Sequence, residues 1–168
     1  SRGLGDVYKR QALDRTGAAA NSVYGATDEA YIADIYYAAS AQIVAKAAEV
    51  LGLEETRQEY QKIADRQWQV VKEEYFTATG RCAVKTQTGL ILALKYHLSE
   101  NEELTKQMLQ KLLRDNKNKL NTGFVGTPLL CNVLTDHGMT DAAYRLLLNK
   151  EYPGWLHEVK LGATTVWE

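Results

Sequence analysis

From Asp28 onward, apolar residues return every three or four positions. That spacing lays one stripe along an α-helix rather than one face of a strand. Ile32, Ile35, Ala39, Ile43, Ala47 and Val50 define the first stripe, predicting a helix of about six turns. Thr27 or Asp28 can cap its start, and Gly52 stands where a left-handed residue closes a helix. A second helix over 54–75 carries Tyr60, Ile63, Ala64, Val71 and Tyr75. The short link "GLE" makes the two an antiparallel hairpin. After "TATGR" the pattern predicts helices over 86–97, with Leu90, Leu92, Ala93 and Leu94, and over 101–114, with Leu104, Met108, Leu109 and Leu112.

"NKNKLNTGFVGTP" then reads as a polar, glycine-punctuated loop, with Thr127 as cap and Pro128 opening the next helix. That helix stops at "DHG", and Thr140 with Asp141 caps another through Leu148. The last stretch is a short helix running into an irregular tail. No segment reads as a strand beyond, at most, a two-residue bridge. Successive hairpins of roughly 40 residues fit either a solenoid or a closed α/α toroid. The hairpins differ in length and their loops share no consensus, which favours the toroid, with inner helices converging on one pocket.

Composition narrows the function more than the fold. Hydrophobic residues make up 45% and charged residues 24%, ordinary values for a globular protein. A formal net charge of −1 gives no electrostatic case for nucleic acid or a membrane surface as partner. No apolar run approaches the roughly 18 residues of a membrane span. Cys82 and Cys131 lack metal-ligand spacing and read as half-buried apolar residues; His97, His137 and His157 form no HxxxH or HxxH pair. No metal and no cofactor is expected. The opening "SRGLGDVYKRQ" has no apolar periodicity and resembles translated sequencing-adapter read-through. Residues 1–11 are therefore set apart as a non-native leader, against the alternative of a natural disordered terminus.

Two stretches break the helical grammar. In "NTGFVGTP", paired glycines let backbone approach a ligand and Phe124 offers an apolar face; equally, this is a helix-to-helix turn whose phenylalanine plugs the core. It is not a phosphate loop, because no lysine follows and the glycine spacing is wrong. In "GATTVWE", Thr164 and Thr165 bring hydroxyls, Trp167 a flat apolar surface and Glu168 a carboxylate. A sugar site needs aromatic faces, hydroxyl partners and a carboxylate base, although Glu168 could also serve as half of a plain ion pair.

Four motifs stand in fixed order: "TGFVGTP", "DAAYRLLL", "YPGW" and "GATTVWE". In kind, order and spacing they resemble the C-terminal part of the catalytic domain of α-L-rhamnosidases of glycoside hydrolase family 78. "TQTGLILAL" and "YYAASAQIVAKAAEVLG" are similar as well, and the resemblance covers residues 12–168. It implies an all-α fold, part of an (α/α)6 barrel, truncated at both ends. It further implies inverting hydrolysis of terminal α-L-rhamnose from glycosides or oligosaccharides, with Glu168 as general base. The family's general acid lies in a D-E-R-x-G-W-x-G-D motif. This chain holds only "SRGLGD" in its place, so by itself it is expected to be inactive. Rhamnose carries a methyl group where glucose has a hydroxymethyl, so an aromatic wall is expected, with Trp167, Trp155 and Phe124 as candidates and Thr165 beside them. Trp155 could equally fill the core beneath Pro153. Competing readings are another α/α-toroid glycosidase with a different sugar, and a helical-repeat interaction module without chemistry.

Overall fold

The structure, a computed structural model, describes residues 27–165. Among the described residues seven helices follow in order: α1 Glu29–Val50, α2 Glu54–Tyr75, α3 Gln87–Lys95, α4 Glu102–Asp115, α5 Gly123–Asp136, α6 Thr140–Leu147 and α7 Trp155–Lys160. Of the expected caps, Asp28 holds at the start of α1, and two further side chains cap α3 and α4. Asp28 accepts from the amide of Tyr31, Thr86 from Gly89 and Asn101 from Leu104. Gly52, at φ +70°, closes α1 as expected: Leu53 N donates to Ala48 O and Gly52 N to Glu49 O. Among the described residues, the extended pairing is one isolated antiparallel bridge between Phe76 and Cys82.

Three expectations need correction. The first-helix stripe fails beyond Ala39: Ile43 is 67% and Val50 87% exposed, and Ala47 also faces out. Ala41, Ala45 and Ala48 are buried instead. Alanine lets α1 lie close to α2, its main partner, and bulky β-branched side chains are turned away from so tight a crossing. The start of α5 lies one turn earlier than expected, at Gly123, with Pro128 inside the helix. The Thr127 hydroxyl explains this, for it donates to Gly123 O at 2.6 Å and sits 2.6 Å from Thr122 Oγ1, organising a first turn ahead of the proline. Finally, α6 begins at Thr140 itself, and no side chain caps it.

Every residue of α3 from Gln87 to Leu94 is buried. On one side Leu90, Ile91 and Leu94 join Leu109 and Leu113 of α4, Leu130 and Leu134 of α5 and Leu146 of α6. On the other, Leu92 meets Tyr31, Ile32 and Ile35 of α1 and Val71 of α2. A helix buried all round belongs to an inner layer.

The direction of the inner helices follows from their ties. Thr27 Oγ1 lies 2.6 Å from Thr86 Oγ1, and Tyr31 Oη donates to Gly89 O at 3.0 Å, so α1 and α3 advance together. Thr88 Oγ1 donates to Thr122 O at 2.5 Å, while at the far ends the rings of His97 and His137 stand 5.9 Å apart. Helices α3 and α5 are therefore parallel as well. Their return helices α2, α4 and α6 complete hairpins, the arrangement of an α/α toroid.

Candidate active site

Because α1, α3 and α5 run parallel, their starts share one end of the molecule. The approach to α7 is stitched to the same end. Asn149 Nδ2 donates to Asn118 O at 2.7 Å, Leu120 N donates to Pro153 O at 3.4 Å, and Lys119 Nζ pairs with Glu151 at 3.3 Å. "NTGFVGTP" and "YPGW", thirty residues apart in sequence, thus meet at one rim.

Within that rim the glycines have steric reasons. A Cβ on Gly126 would run into Thr88 Oγ1 and sit 3.0 Å from Thr122 Cβ. Gly126 thereby lets α5 lie against α3 where Thr88 reaches the Thr122 carbonyl. A Cβ on Gly154 would meet the carbonyls of Glu151 and Asn149 at 2.8 and 2.9 Å. The Tyr152–Pro153 peptide just before it is cis, and the Tyr152 ring meets His157 edge-on with centroids 5.7 Å apart.

The candidate residues divide by environment. Phe124 is 54% exposed in the first turn of α5, so it does not plug the core. Trp155, the first residue of α7, is half-buried and packs against the main core cluster. Thr165 is exposed beyond α7. Trp167 and Glu168 lie outside the described residues, as does the leader at 1–11. Among the described residues no group of three or more His, Cys, Asp or Glu could hold a metal ion, and no helix is long and apolar enough to cross a membrane.

Sequence reasoning missed the polar residues that hold the rim. Gln87 and Thr88 are buried at the head of α3, and Thr122 is buried at the head of α5. The signal was present in "TQTGLILAL", where three polar side chains precede an unbroken apolar run. Such residues end up inside when their polar atoms have partners.

Parallel inner helices, antiparallel returns and a polar, part-aromatic rim at the inner helix starts define an α/α-hairpin domain of the toroid class. The comparisons with known proteins are specific. Residues 1–168 match the family described as the bacterial alpha-L-rhamnosidase 6 hairpin glycosidase domain, and the chain belongs to that family. An alpha-L-rhamnosidase of Formosa agariphila is 38% identical over 147 residues, covering 86% of this chain and 16% of that protein. The crystal structure of native alfa-L-rhamnosidase from Aspergillus terreus superposes with a TM-score of 0.81 at 28% identity, covering 91% of this chain and 18% of the other. Streptomyces avermitilis alpha-L-rhamnosidase complexed with L-rhamnose gives a TM-score of 0.77 at 29% identity, covering 94% and 14%. The chain thus spans about one sixth of the length of the first curated relative it matches. Family membership sets aside the helical-repeat interaction module.

Proposed function

We propose that residues 12–168 are the C-terminal part of the catalytic domain of an α-L-rhamnosidase, and that the enzyme removes terminal α-L-rhamnose from glycosides with inversion. The observation that carries this reading is the rim itself. The starts of three parallel inner helices and the approach to α7 converge there, and the "GATTVWE" segment follows α7 directly. A relative of the same fold, covering 94% of this chain, has been crystallised with L-rhamnose.

Inversion requires two carboxyl groups on opposite faces of the anomeric carbon, about 6.5–9.5 Å apart, with a water between base and sugar. Glu168 is the proposed base, removing a proton from that water as its oxygen attacks. The proposed acid belongs to the D-E-R-x-G-W-x-G-D motif of the family and protonates the leaving oxygen. Phe124, Trp155 and Trp167 are proposed as the aromatic surface against the sugar's C–H edges and methyl group, with the Thr165 hydroxyl as a hydrogen-bond partner. Neither a metal nor a cofactor enters the proposal.

The stereochemistry of the first product tests this reading. Proton NMR of an α-L-rhamnoside digested by the full-length enzyme should show β-L-rhamnose appearing first and mutarotating later. Initial release of the α anomer would require a covalent intermediate, and the proposed role of Glu168 would fall.

A further inference from the structure

Gln87 is 1% exposed at the head of α3, and both ends of its amide are used. Nε2 donates to Lys119 O at 3.0 Å, and Oε1 accepts from Asn121 N at 2.9 Å. The side chain thus pairs with the 119–121 backbone as a neighbouring peptide would, fixing that segment's height along α3. A buried amide satisfied on both sides tolerates little sliding, because any shift leaves a donor or acceptor unpaired.

The clamped segment is the hub of the rim. Forward of it, Asn121 and Thr122 lead into the turn that carries Phe124. Sideways, Asn118 O, Leu120 N and Lys119 Nζ hold Asn149, Pro153 and Glu151 of the loop before α7. None of these three sideways ties reaches α3 directly. The loop is held at its ends by α6 and by Trp155 on the core, and between them its hydrogen-bonded link toward α3 runs through 118–121.

We propose that Gln87 is a positioning residue: its amide clamp on Lys119 and Asn121 holds the Phe124 turn and the 149–154 loop in one arrangement at the rim. Its functional meaning rests on the reading of that rim as the sugar-binding end. The experiment needs no catalysis, so failure of the glycosidase reading and failure of the clamp are separate results.

The test is amide hydrogen exchange, read by mass spectrometry on the full-length enzyme and two variants. Gln87→Leu keeps roughly the volume and removes both bonds. Gln87→Glu keeps the shape; its ionised carboxylate accepts from Asn121 N but faces the Lys119 carbonyl without a proton to donate. A buried carboxyl is driven toward its neutral form, and once protonated it donates and accepts as the amide does. Gln87→Leu should speed exchange in peptides covering 118–122 and 148–155 by about tenfold, at both about pH 5 and about pH 8. Gln87→Glu should do so at about pH 8 and return toward wild-type protection at about pH 5. Each variant is compared with wild type at the same pH, which corrects for intrinsic exchange and for the Lys119–Glu151 pair. Unchanged protection of 148–155 in both variants would overturn the proposal. So would a Gln87→Glu protein as open in acid as in base, since then only packing matters at this position.

Discussion

Hydroxyl and amide side chains at the inner helix starts set how closely those helices approach, and Gly126 marks the tightest point. Its missing Cβ leaves room for Thr88 to reach the Thr122 carbonyl. Gly126→Ala is expected to destabilise the domain by about 1–3 kcal/mol, the usual cost of overpacking, as a lower urea midpoint with unchanged slope. A midpoint within error of wild type would mean that α3 and α5 can part without cost. Tyrosines give a second prediction. Burial, and then the hydrogen bond to Asp34, push the Tyr75 hydroxyl from 10.0 up to about 12. Burial moves Tyr31 in the same direction. A folded value above the unfolded one means that this contribution is complete below pH 10 and is lost as pH rises toward 12. Thermal melts should therefore fall across that window, and Tyr75→Phe should flatten the slope. A melting temperature independent of pH there would contradict the burial of these phenols.

Helix α1 separates what periodicity reveals from what it hides. Its existence, its Asp28 cap and its Gly52 end were legible, because capping chemistry is local and depends on few residue types. Its buried face was not, beyond Ala39. The helix is apolar on nearly every side, so a stripe of isoleucine and valine competed with a stripe of alanine, and only the close approach of α2 decides between them. Ala45→Leu should cost about 1–3 kcal/mol, whereas Val50→Lys should stay within about 0.5 kcal/mol. Denaturant titration of both variants checks the assignment, and the reverse ranking would restore the expected stripe. The α5 start was misread for another local reason. Pro128 looks like an opening residue, but the Thr122–Thr127 hydroxyl pair builds a turn before it. The site was legible as motifs and not as geometry. Phe124 and Trp155 stood out by type, whereas Gln87 and Thr88 acquire their roles only when loops 30 residues away arrive beside them.

At the scale of the molecule, one rule organises the chain: each hairpin returns so that the next inner helix starts at the same rim. The matched region makes up 14–18% of the length of relatives of this fold, and the chemistry proposed here needs an acid from the family's D-E-R-x-G-W-x-G-D motif as well as Glu168. The claim that Glu168 is the base is best tested in the full-length enzyme by measuring kcat, KM and melting temperature for Glu168→Gln side by side. Glutamine keeps the shape and can still hydrogen-bond water, yet it cannot take up a proton at neutral pH. The expected result is a kcat reduced by about 10²–10⁴-fold, with KM and melting temperature nearly unchanged. A near-normal kcat would remove Glu168 from the mechanism, and parallel losses of binding and stability would make it a structural residue.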